Sequence, residues 1–564
     1  MASYWDGVRD ARVTRRAWLR AAGAGAAAAG AVALVGCGKS GPPPEPTSRG
    51  STGNADRPDI LNPGGPPRRG GTLVTANAAN FGTFDPHLGV AVSSAYFPRV
   101  YNVLVNQSAT KPQFLHFDLA KSFETPDDRT YVFNIRPGVK IAPNSLGVPE
   151  RDLDAEDVKA NFDRLMTDKT TNQYGFAHQN IDSVTAKGDT VTVTTKAPYA
   201  WLVNRIGLFL GNCIAPRELL AGDLSRLSGK TAGAGPYSLV SVTEGERATF
   251  VRNPNYYRKD ESNGAQLPYV DGLDVRVVFD RATQRAAFQS GQIHAYMVGT
   301  GEEARSLGDV PIARDPAFVY VSMTMNPLRK PFDDPRVRRA VSRAINRSEY
   351  VRIIYGGDAQ ANGLVHWPLG SYALPPDELE KTYQPFDLAD AKALVSAVGG
   401  IKFKMLFPGS TSIQEHAQHL AIFVEQMRAA GIDIEQDGVD FGSWIDNYHG
   451  LKYDSSLALN QMYETPELPL AFHTTGGPFG DKSYIQGMGD PEIDAAVARV
   501  NRTLPLDERL AAVHDAQKLI YSKDPAFLPL VSPYAYMAYA KTVKNIPVGV
   551  GTTNFLLNTY WMDV

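Results

Sequence analysis

Few side chains in this 564-residue chain stand where chemistry would need them. His416 and His419 lie three apart in Glu-His-Ala-Gln-His. A zinc-protease helix needs histidines four apart with a glutamate between them, so that both rings meet one ion. This pair misses that spacing and is expected on the surface. Asp440-Phe441-Gly442 spells a kinase tripeptide, but none of its partner motifs accompanies it. Neither a nucleophile elbow nor a phosphate-binding loop occurs. Cys213, flanked by Ile214 and Leu208-Phe209-Leu210, reads as a small buried apolar residue rather than a nucleophile. With no nucleophile–base pair in view, the chain reads as a binder, without catalytic residues, metal site or cofactor.

The other cysteine says where it works. Arg15-Arg16 precedes a charge-free, Ala-rich run from Ala21 to Gly36. A spanning helix needs roughly 20 strongly apolar residues, so this run reads as an export signal of twin-arginine type. Leu34-Val35-Gly36-Cys37 resembles a lipobox, which makes Cys37 the lipidated first residue of the mature protein. Pro and Gly dominate from Gly41 to Gly71, too poor in apolar residues to fold, so residues 37–70 read as a tether. The protein is expected outside the cytoplasm, held to the outer face of the bacterial cytoplasmic membrane by its lipid. Its 57 basic and 60 acidic residues nearly balance, and no basic tract suits nucleic acid.

Strand and helix patterns alternate through the body. Gly71–Ala76, Arg129–Arg136, Asp189–Thr195, Ala248–Arg252 and Leu273–Phe279 carry strand patterns. Asp154 is placed to cap a helix through Met166. A single amphipathic helix is expected from Arg336 to Ile354, ending at Gly356-Gly357. The strand Ile401–Phe407, a helix to Ala430, Gly431 and the strand from Ile432 suggest a parallel βαβ unit.

Several stretches in colinear order resemble the large peptide/nickel-type solute-binding proteins of ABC importers. They are Phe84-Asp85-Pro86-His87, Leu119–Glu124, Tyr131–Lys140, Asp154-Ala-Glu-Asp-Val158, Ala234–Leu239 with Arg252–Tyr257, Ala286–Ile293, and Pro331–Ile345. The resemblance runs from about Gly71 to the C-terminus. It implies an α/β fold of two hinged lobes that close on a ligand. Lobe I would take residues 71–279, with an extra subdomain at 105–195, and would be completed by 503–564. Lobe II would take 280–502. One hinge-crossing strand would lie near Leu273–Phe279.

It also implies a capture protein, a monomer, that hands a peptide or other small solute to a membrane permease served by ATPase subunits. In peptide-binding relatives the ligand lies extended between the lobes, its backbone paired with strand edges. An aspartate holds its ammonium group. Here the matching segment is Leu457–Glu467, and Met462 takes the aspartate's place. Either Glu464 or Glu467 replaces it, or the ligand has no free amino group there. The expected contacts are Val92, Ser93 and Ser94 on lobe I, and Asn460, Gln461, Met462, Tyr463 and Glu464 on lobe II. Tyr96, Trp367, Trp444 and Tyr463 are candidate aromatic walls. Because nickel-binding relatives use histidine, His473 keeps a metal chelate open as an alternative to a peptide, alongside an oligosaccharide or modified peptide.

Overall fold

The computed structural model describes residues 59–88, 96–107, 115–171, 174–207, 212–224, 227, 229–317, 319–409, 414–461, 465–477, 489–548 and 559–563. The export signal, Cys37 and most of the tether lie outside them.

Twelve strands form the main sheet. In chain order they are β1 (Thr72–Asn77), β2 (Tyr237–Thr243), β3 (Arg247–Arg252), β4 (Gly272–Val277), β5 (Ala295–Val298), β6 (Ile312–Pro316), β7 (Val319–Met325), β8 (Ala359–Ala361), β9 (Ile401–Pro408), β10 (Ile432–Val439), β11 (Ser455–Gln461) and β12 (Phe527–Tyr539). Their spatial order is β10-β9-β11-β7-β12-β5-β1-β4-β3-β2, with β6 and β8 also paired to β12. The sheet thus has two halves joined through β12. Its first residues pair with β7 and β8, and its last residues with β5 and β6. The chain makes a second passage from β6 to β7, where Ala317 N donates to Pro533 O at 3.0 Å. These two passages form the crossing. β4 lies elsewhere, inside the first half between β1 and β3, because its backbone pairs with β1 in parallel register.

Local signals explain many elements. Asp154 accepts from Asp157 N while the Asp157 side chain accepts from Asp154 N, a capping box that opens helix α1 (Ala155–Thr167). Such a cap is worth about 1 kcal/mol. β9 and β10 pair in parallel around helix Gln414–Ala429, as the βαβ pattern implied. The run expected as one helix from Arg336 to Ile354 is two, α2 (Pro335–Ala344) and α3 (Arg347–Tyr355). Asn346 separates them because its side chain accepts from Glu349 N and caps α3, which then ends at left-handed Gly356.

Core packing divides the chain differently from the expected lobes. One core holds Leu73, Phe133, Val193 and Trp201, but also Leu364, Tyr372, Leu470, Ile493, Val497 and Val513. Helices α4 (Glu467–Ala471), α5 (Pro491–Arg502) and α6 (Leu506–Ser522) therefore share a core with the first half, although 467–502 was expected with lobe II. The cause is the apolar stripe Ile493, Val497 and Val500 on α5, buried in that core with Val513, Ala516 and Ile520 of α6. A second core, with Val321, Val341, Phe403, Phe423 and Met427, belongs to β7, β9, α2 and the helix between β9 and β10. Within 105–195, four antiparallel strands form a separate small sheet.

Candidate ligand-binding site

Of the expected contacts, Val92, Ser93, Ser94, Met462, Tyr463 and Glu464 lie outside the described residues. Asn460 and Gln461 end β11, paired by backbone with Tyr320 and Val319. What the structure does show is how the two flanking segments are held.

On the first half, the Asp85-Pro86-His87 motif is a buried polar knot. Arg164 of α1 grips both Asp85 carboxylate oxygens at 2.7 Å. His87 is fully buried, with Nε2 2.9 Å from Asn161 Oδ1 and 3.2 Å from Cys213 O. Its Nδ1 lies 3.1 Å from Arg164 Nη1. The ring fits one tautomer: Nε2–H donates and Nδ1 accepts. Burial, and then the Arg164 charge, lower its pKa to about 4, so it stays neutral. The knot fixes the chain just before the expected contact loop. Beside it lies a cleft of about 770 Å³, walled by Phe84, Leu88, Leu224, Val242 and others of the first half alone. A ligand held between lobes needs walls from both.

On the other side, Glu467, the last residue of the expected segment, opens α4. It is buried, at 4% exposure. The Tyr199 hydroxyl donates to its Oε1 at 3.4 Å, while Oε2 has no hydrogen-bond partner. Burial raises its pKa, opposed by the nearby Arg205 charge and then by hydrogen bonding from Thr465, its own backbone and Tyr199. A buried carboxylate oxygen without a donor is what an incoming cationic group would complete.

The aromatic candidates separate. Tyr96 is a core residue and no wall. At 2% exposure it packs against Phe81, Phe84 and Phe97, and its single hydroxyl proton is shared between the carbonyls of Phe81 and Thr83. Trp444 is also core, stacked on Tyr448 at 5.1 Å, with Nε1 donating to Ser456 Oγ. Trp367 is half-buried, 5.1 Å from the Tyr534 ring, and that ring carries the Arg314 guanidinium at 3.4 Å. Tyr534 lies on β12 at the crossing, so Trp367 stands beside that crossing. His419, expected on the surface, is buried and lies 2.8 Å from the Tyr355 hydroxyl. His473 is buried as well, with its pKa lowered to about 3 by burial. Among the described residues no group of three His, Cys, Asp or Glu could hold a metal ion.

The family model "Bacterial extracellular solute-binding proteins, family 5 Middle" matches residues 115–481. The glutathione-binding protein GsiB of Salmonella paratyphi A is 25% identical over 497 residues, covering 84% of this chain and 91% of GsiB. Two solved structures share the fold. The periplasmic binding protein DppA from Helicobacter pylori, in complex with peptide STSA, gives a TM-score of 0.72 at 22% identity, over 88% of this chain and 99% of DppA. NikA from Brucella suis, in complex with Fe(III)-EDTA, gives 0.73 at 20% identity, over 87% of this chain and all of NikA. The chain belongs to the family 5 bacterial extracellular solute-binding proteins, binding components of ABC transporters that take up small solutes and are not enzymes.

Proposed function

We propose that this protein captures short peptides carrying a free ammonium group and delivers them to the permease of an ABC importer. The observation that carries this reading is Glu467, a buried acid with one unpartnered oxygen at the end of the expected ligand segment. It supplies the negative charge that Met462 removed from the usual place. Backbone pairing at the end of β11 would supply affinity independent of peptide sequence. The relatives named with glutathione and with a peptide support the same class. A metal chelate gains little from His473, whose ring is enclosed in the protein.

The lobes are then best divided at the crossing. Lobe I would run to Pro316 and would also take α4–α6, which share its core, while lobe II would start at Val319 and β12 would cross between them. The two passages, 316–319 and 531–534, would act as the hinge. Cys37 would carry the lipid, and the link from it to the body would be shorter than residues 37–70, because Asp59–Leu61 pairs with Ile546–Val548 and Arg68 with Asp563. A Cys37→Ala variant is expected in the medium or as uncleaved precursor. Membrane-bound variant of mature size would refute the anchor. Calorimetry with tri- and tetrapeptides tests the ligand class, and binding of opines or metal chelates with no peptide binding would overturn it.

A further inference from the structure

A second polar site lies where the two cores meet, with Tyr350 in one and Tyr521 in the other. Arg347 opens α3 and is only 5% exposed. Its Nε donates to Pro529 O of β12 at 3.4 Å, but Nη1 and Nη2 are buried and reach no acceptor. Among the described residues no carboxylate pairs with it. Burial alone pulls its pKa down to about 10, with only Tyr521 and Tyr350 close enough to oppose the shift. Tyr350 stands one turn further along the same helix face, fully buried, and its hydroxyl also has no partner. The Tyr521 hydroxyl, from α6, accepts from Leu364 N at 3.1 Å and from Gln384 Nε2 at 2.7 Å, which leaves its proton for another neighbour.

Arg347 Nη1 and Nη2 and the Tyr350 hydroxyl are therefore buried donors with nothing to accept from them, the Tyr521 proton is uncommitted, and the guanidinium is positively charged. An uncompensated buried charge costs several kcal/mol. A water molecule would accept two of these bonds and add two more donors, and the charge would stand. A small anion would accept from every donor and cancel the charge. We infer that Arg347, Tyr350 and Tyr521 hold a buried monovalent anion of chloride's size. It would tie α3 to α6 and to β12, the strand that joins the two halves of the sheet. Its effect would be on stability and hinge stiffness rather than on ligand choice.

Thermal unfolding of the mature protein in sodium chloride, against sodium gluconate at equal ionic strength, tests this. The expected result is a saturable rise in Tm with chloride. Tyr350→Phe removes one donor and should raise the half-saturating chloride concentration about tenfold, as for one hydrogen bond to a charged group. Arg347→Met should abolish the chloride response. Bromide-soaked crystals, which need no variant, should show one anomalous peak against Arg347 Nη1 and Nη2. Equal Tm in both salts, a chloride response unchanged in both variants, or no bromide peak at Arg347 would each overturn the site.

Discussion

Replacing Glu467 by Gln separates the ligand reading from a purely structural one, because the two move affinity and stability in different ways. The carboxylate is buried, bonded through a long 3.4 Å contact from Tyr199, and lacks a donor at Oε2. In the unliganded protein its charge is a burden, as its raised pKa records. Because the folded pKa is raised, the protein loses stability on its account as pH climbs above the ordinary carboxylate range, and the loss ends above the folded pKa. The amide has no such charge, so unliganded Glu467→Gln should be as stable as the parent or more so at pH 7. A ligand ammonium would gain a charge-assisted bond in a desolvated place, and truncating such a pair costs about 2–5 kcal/mol. The nearby Arg205 already offsets part of the charge, which points to the lower end. Affinity should then fall about 30- to 150-fold, at 1.4 kcal/mol per tenfold. Calorimetry with a tripeptide and its N-acetylated form completes the cycle. The parent should lose affinity on acetylation, and the variant should lose little more. Equal losses in both proteins, or a destabilised variant with unchanged affinity, would refute the assignment.

Arg164→Met should destabilise the body by about 3–5 kcal/mol, since it leaves Asp85 charged and buried without its partner. Denaturant unfolding checks this, and a loss under 1 kcal/mol would contradict it. His87, His366 and His473 have pKa values lowered to about 4, 3 and 3 by burial, so they are neutral when folded and protonate on unfolding below pH 6.5. Stability should therefore fall as pH drops from 6.5 towards 4, by up to about 1.4 kcal/mol per pH unit for each ring. His366→Gln should make that slope shallower by up to one proton in pH-dependent unfolding. Gly301→Ala would place a Cβ 1.9 Å from Asp358 Oδ2, the atom that accepts from Arg305 at 2.9 Å. Asp358 must then shift, so a loss of about 1–3 kcal/mol is expected, read as a lower Tm.

Local structure was legible in the sequence where a few neighbouring residues decide it. Asp154 caps the helix it precedes, and Gly431 ends the helix before β10. The break between α2 and α3 was hidden because Asn346 falls inside an amphipathic run, and a cap is recognisable only once the backbone has left the helix. Tyr96 and Trp444 resembled wall residues because core and ligand site draw on the same aromatic side chains. Only tertiary contacts separate them, such as the carbonyls of Phe81 and Thr83 that accept from Tyr96. The same limit hid His419, whose partner Tyr355 is 64 residues away in the chain. The crossing strands escaped for a related reason. Pairing of β12 with both β7 and β5 is non-local, and periodicity along one strand carries no information about its neighbours.

The measurement that bears most directly on the account is native mass spectrometry of the body, expressed with Asp59–Leu61, which pairs with Ile546–Val548, in peptide-rich medium and purified without refolding. Peptide capture through backbone pairing and Glu467 requires a spread of adducts at the masses of short peptides, displaced by an added tripeptide. A single discrete non-peptide mass, or an empty protein that fills only with a chelate or glycan, would contradict it.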